Sequence, residues 1–200
     1  MRFIAMTRRD AIPVFVTLTY PAEFPLLWDV YKRHLDTFSK RFRRKFPAGS
    51  FVWRLEFQKR GAPHYHLLVW NVGYHDLLTW VHMAWFNVVD SGDINHLLAG
   101  TRVEEIRSWR GVSSYASKYL SKVFADEHTG VGRWWGYCNL AAIPMAECVT
   151  FPLSKKQAFT ALRYFRRFSS VKGRDYKSLT VFLDGSTWLD KLPDHLADFD

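Results

Sequence analysis

The chain has 200 residues, 48% of them apolar, enough for one sizeable core in one or at most two domains. Lys and Arg number 28 against 19 Asp and Glu, a formal net charge of +9 that disfavours cationic ligands and favours polyanions, nucleic acid first. No run of about 18 apolar residues offers a membrane span, and the opening MRFIAMTRRD lacks a signal core. Cys138 and Cys148 have neither zinc-site nor disulfide spacing. The composition predicts a soluble cytoplasmic protein without membrane partners.

In chain order, Val14 to Thr19 reads as a strand closed by Pro21. Asp29 to Lys45 reads as a helix with Val30, Leu35, Phe38 and Phe42 as its apolar stripe, ended by Pro47 and Gly49. Phe51 to Gln58 and His64 to Trp70 form two strands of a hairpin joined by Lys59-Arg60-Gly61-Ala62-Pro63. A helix over Asp76 to Val89, a strand over Thr101 to Ile106 and a helix over Val112 to Lys122 follow. Beyond them come a strand near Val149 to Leu153, a helix near Ser154 to Phe168 and a strand near Leu179 to Leu183. No repeat, low-complexity tract or linker breaks the chain, so it reads as one domain, 1–200, with a basic C-terminal part, 124–200. Interleaved strands and helices with a hairpin predict an α+β fold, an antiparallel sheet with helices packed on it.

The hairpin carries the first chemical signal. Alternation puts Phe51, Trp53, Leu55 and Phe57 on one face, with Val52, Arg54, Glu56 and Gln58 on the other. In the second strand Tyr65, Leu67 and Val69 share the core face, so His64 and His66 join the polar one. A loop that sets Gln58 opposite His64 sets Glu56 opposite His66, with Cβ atoms about 5 Å apart across the pair. Two imidazoles and a carboxylate, with Gln58 as an alternative oxygen donor, suit a divalent ion that keeps open positions for substrate. The plain alternative is a pair of surface histidines on a solvated sheet.

The second signal is the segment from Tyr115 to Lys122. On a helix Tyr115, Lys118, Tyr119 and Lys122 line one face, at i, i+3, i+4 and i+7. A tyrosine attacks phosphorus as phenolate, and positive neighbours favour that form of a group whose free pKa is about 10. The plain alternative is amphipathic packing with lysines reaching past the rings.

Together Phe15-Val16-Thr17-Leu18-Thr19, Pro63-His64-Tyr65-His66-Leu67-Leu68 and Tyr115-Ala116-Ser117-Lys118-Tyr119 resemble, in order and spacing, the three motifs of HUH endonucleases. Within that group they are similar to the rolling-circle replication initiators of phages and small plasmids, most of all the two-tyrosine members. The resemblance covers roughly Val14 to Lys122; family members usually carry a bulky apolar residue where this chain has Tyr65. It implies a central antiparallel sheet of about five strands with flanking helices, similar to an RNA-recognition fold. It further implies that His64, His66 and Glu56 hold Mg or Mn, and that Tyr115 or Tyr119 cuts single-stranded DNA at an origin to leave a 5′-phosphotyrosine and a free 3′-OH for a polymerase.

For DNA contact the sequence offers Lys59 and Arg60 in the hairpin loop, Arg41, Arg43 and Arg44 in the first helix, and Lys155 and Lys156 in the late one. Trp134 and Trp135 fit either base stacking or core closure. No phosphate-loop motif is present, so unwinding would require a host helicase in the bacterial cytoplasm. The rival readings are a transposase or relaxase of the same chemistry, and a non-catalytic single-strand-binding module.

Overall fold

The computed structural model describes residues 7–8, 10–112 and 131–146, and the single positions 154, 156, 160 and 163. The chain divides into two compact units, residues 1–145 and 146–200. The first unit is a five-stranded antiparallel sheet flanked by helices, in strand order β4-β1-β3-β2-β5. Its strands are β1 Val14–Thr19, β2 Ser50–Phe57, β3 Pro63–Trp70, β4 Thr101–Glu105 and β5 Trp135–Cys138. Its helices are α1 Trp28–Lys45, α2 Tyr74–Val89 and α3 Ile94–Ala99. In the second unit Lys156, Thr160 and Arg163 are helical, in accord with the helix expected over Ser154 to Phe168.

Helix α1 forms because Tyr31, Leu35, Phe38 and Phe42 recur at helical spacing and bury a single stripe. Tyr31, rather than the expected Val30, starts that stripe, since it shares the face of Leu35 one turn later. Leu77, Val81, Ala84, Trp85 and Val88 do the same for α2. Both helices pack on one face of the sheet against Val16, Leu18, Phe51, Leu55, Tyr65 and Leu67. The opposite face carries a smaller core of Phe15, Val52, Leu68, Trp70, Ile106, Val112 and Ile143.

Two elements escaped sequence reading. Helix α3 is only six residues, too short for a periodic signal, and is started by Asp93 accepting from Asn95 N. Strand β5 has four residues and contains Gly136, whose missing side chain makes room for Trp53; a Cβ there would lie 2.7 Å from Trp53 Cζ2. The helix expected over Val112 to Lys122 is entered at 109–112, and its remainder lies outside the described residues. So do the strands expected at Val149 to Leu153 and Leu179 to Leu183.

The hairpin register differs from expectation. Glu56 pairs with His64, and Arg54 with His66. Gln58 N donates to Ala62 O at 2.9 Å and Gly61 N to Gln58 O at 2.8 Å, so the loop is the three residues Lys59, Arg60 and Gly61. Gly61, at φ +80°, supplies the left-handed position that closes a three-residue hairpin loop. The tighter loop shifts the pairing by two positions, and because side chains alternate with period two, every residue keeps its face.

Candidate active site

The inter-strand register lines up the polar face in rows. Thr19, His64 and Glu56 form one row across β1, β3 and β2. Arg102, Thr17, His66, Arg54 and Trp135 form the next, one residue from each strand. Both histidines and Glu56 therefore sit at the sheet centre, on the face opposite α1 and α2. Two-residue periodicity, read from sequence, had joined them there already.

The side chains meet closely. Glu56 Oε2 lies 3.1 Å from His66 Nε2, and Thr17 Oγ1 lies 3.3 Å from His66 Nδ1. The rings of His64 and His66 are 4.4 Å apart between centroids, and Phe15 stacks on His66 at 5.5 Å. His66 is 6% exposed, so its contacts act with little water to screen them. Although Glu56 stands opposite His64, its carboxylate contacts His66 on the diagonal, within reach of neighbouring strand positions.

As placed, these side chains bond to one another, and among the described residues no group of three His, Cys, Asp or Glu forms a ready-made metal site. The donor set nonetheless fits a divalent ion. When the His66 proton sits on Nε2, the Glu56 contact is a charge-assisted hydrogen bond. When it sits on Nδ1 and is accepted by Thr17, Nε2 and Oε2 turn lone pairs toward one space, which a cation satisfies.

Sequence reading assigned no role to two residues of this face. Thr17 touches His66 through the β1 to β3 register, and Arg54 is buried in the same row. Burial lowers the Arg54 pKa, while the nearby Glu56 carboxylate opposes that shift. Strand alternation in Phe15-Val16-Thr17 marks the position of Thr17; only strand order brings it to His66.

Tyr65, between the histidines, points to the helix-covered core, where it is fully buried and donates to Tyr31 O at 3.1 Å. Burial pushes its phenol pKa well above the usual value, which suits a packing role. Gln58, expected opposite His64, lies instead in the turn, with its side-chain oxygen accepting from Arg60 Nε at 2.9 Å. The reason is the tight loop: strand β2 ends at Phe57.

Among the residues considered for DNA contact, Arg60 ties the hairpin loop to the segment after β1. Its guanidinium donates to Tyr20 O and Pro21 O, both at 2.6 Å, and lies over the Phe24 ring. Lys59 at the loop tip and Lys156 are exposed. Arg41 and Arg44 line a concavity with Thr79, Trp80 and Met83 between α1 and α2, on the side of the sheet away from the histidines. Arg43 faces the other flank of α1, toward Tyr137 and Asn139. Trp134 and Trp135 divide: Trp134 packs edge-on to Phe57 at 5.7 Å, and Trp135 is 49% exposed on the histidine face. Tyr115, Lys118, Tyr119, Lys122 and Lys155 lie outside the described residues.

No helix among the described residues is long and apolar enough to cross a membrane. No curated protein sequence is significantly similar to the chain. The sequence profile of a protein family, described as replication-associated protein ORF2, matches residues 13–124, which include β1 to β4, both histidines, Glu56 and the segment from Tyr115 to Lys122. With more than half of its length matched, the chain belongs to this family of replication-associated proteins.

Proposed function

We propose that the protein initiates rolling-circle DNA replication as a metal-dependent endonuclease that nicks single-stranded DNA at an origin and stays joined to its 5′ end. The observation that carries this reading is the meeting of Glu56, His64 and His66 at the sheet centre of a replication-associated family member. Family membership supports the replication role, and the polar cluster supports the chemistry.

His64, His66 and Glu56 would hold Mg or Mn, which supplies Lewis-acid polarisation of the scissile phosphate. Thr17 fixes the His66 ring by its Nδ1 and so presents Nε2 to the side of Glu56. One phenolate oxygen, from Tyr115 or Tyr119, forms a bond to phosphorus as the bond from phosphorus to the 3′ oxygen breaks. The departing oxygen takes up a proton and becomes the 3′-OH that primes a polymerase. Lys118 and Lys122, one helical turn from the two phenols by sequence spacing, favour the ionised nucleophile. The remaining tyrosine can attack after one round of synthesis and release a circle.

The test is covalent capture. The protein is incubated with origin-bearing single-stranded DNA and Mn and resolved on a denaturing gel, beside Tyr115→Phe, Tyr119→Phe, the double variant and His64→Ala. The expected adduct disappears with chelator, in His64→Ala and in the double variant, and the single variants identify the nucleophile. Tight binding that survives chelation, with no adduct on the true origin, would overturn the nickase reading and leave a single-strand-binding module. Replicated circles, as opposed to integrated or transferred DNA, separate an initiator from a transposase or relaxase.

A further inference from the structure

Strand β5 lies beyond the residues that the family profile matches, so this edge of the sheet is a feature of the chain itself. Its two outward residues on the histidine face are Trp135 and Tyr137, partners of Arg54 and Val52. They are 49% and 47% exposed. Edge strands normally carry charge or proline that discourages association, and two large half-exposed rings are a costly choice without a ligand. Being two residues apart on one strand, their Cα atoms are separated by about 7 Å, the reach of one extended nucleotide.

The surroundings are cationic. A concavity of about 450 Å³ runs along the same edge, lined by Lys32, Lys40, Arg43, Trp53, Tyr137 and Asn139. Among its described lining residues Asp36, paired with Lys40 at 2.6 Å, is the one carboxylate against those three cations. From Trp135 the row continues through Arg54 to His66, two strand spacings or about 10 Å away. Aromatic faces, phosphate-seeking cations and the histidine cluster thus follow one another across a single surface.

We propose that this edge is a single-stranded DNA track, with Trp135 and Tyr137 stacking consecutive unpaired bases and Lys40 and Arg43 taking neighbouring phosphates, leading the strand toward His66. The proposal rests on the reading that single-stranded DNA is the substrate. It differs from that reading in asking for unpaired bases, because a stack needs a free base face and a phosphate contact does not. Stacking tolerates any sequence, so origin choice is made elsewhere.

Binding is measured on the full chain in chelator, so that cleavage plays no part, by anisotropy of labelled oligothymidylate and of the same oligonucleotide made abasic. The wild type should bind the intact strand roughly tenfold or more tightly than the abasic one. The double variant W135A/Y137A should lose that preference, W135F/Y137F should keep it, and the salt dependence should be unchanged in both. Arg43→Ala should instead lower the slope of log affinity against log salt by about 0.7. Equal wild-type binding to intact and abasic strands, a comparison needing no variant, would overturn the track. So would unchanged affinity in a folded W135A/Y137A, including the case where that variant alters self-association. If the wild type binds single-stranded DNA but ignores its bases, only the track falls; if it binds no single-stranded DNA, the substrate reading falls with it.

Discussion

Tyr65 shows how one residue type serves different ends within a few ångströms. Its neighbours His64 and His66 turn to the polar face, while its own ring lies edge-on to Trp53 at 6.0 Å and Trp85 at 6.2 Å. Its hydroxyl satisfies Tyr31 O, a buried backbone acceptor in α1. Tyr65→Phe keeps the packing and removes that donor, so it should cost about 1 kcal/mol of stability in urea unfolding. Adduct formation should stay unchanged, because the lost hydroxyl lies on the opposite face from Glu56. The aromatic ring at this position was legible from strand alternation; its hydrogen-bond partner was not, since Tyr31 is distant in sequence and reaches Tyr65 only through helix packing.

At the scale of elements, the hairpin decides the site. Its loop of Lys59, Arg60 and Gly61 sets Glu56 against His64, and Arg60 braces the loop against the carbonyls of Tyr20 and Pro21. Gly61 has open space around it, so the penalty of a side chain there comes from its positive φ alone. Gly61→Ala should therefore destabilise by about 1 kcal/mol, seen as a lowered melting temperature. Because the hairpin register depends on this turn, metal-dependent adduct formation should fall with it. The sequence contained the signal for the turn, a glycine at the third loop position, but Pro63 favours an equally plausible longer loop. Choosing between them required the ladder from Phe57 and Pro63 onward. Strand β5 was harder still: four residues hold too little alternation to outweigh Gly136 within them and Gly132 just before.

The whole molecule has a pH dependence built around buried neutral histidines. His96 in α3 bonds Ser91 Oγ at 2.8 Å through Nδ1 and contacts Thr19 O at 2.9 Å through Nε2. Burial lowers its pKa below the ordinary 6.5, although the Thr19 carbonyl and Asp93 oppose the shift. His34, against Tyr20, is lowered by burial and by Arg33. In both cases the unfolded chain takes up protons at a higher pH than the folded one. Their contribution is therefore complete above 6.5 and is lost as pH falls through the lowered folded values. The urea midpoint should drop between about pH 7.5 and about pH 5, and His96→Gln should flatten that slope. Since Thr19 ends β1 opposite His64, protonation of His96 loosens α3 beside the candidate site.

By itself the sequence determined the period-two faces of the hairpin, hence the company of Glu56, His64 and His66, and the helical stripe of Leu35, Phe38 and Phe42. These are local properties: alternation and helical spacing hold whatever the strands pair with. Tertiary structure alone decided that Thr17 and Arg54 flank His66, that Arg60 is spent on backbone carbonyls, and that Trp135 faces outward while Trp134 packs inward. Each of these depends on which strand lies next to which and how a turn closes, and those choices are made by contacts between residues far apart in the chain.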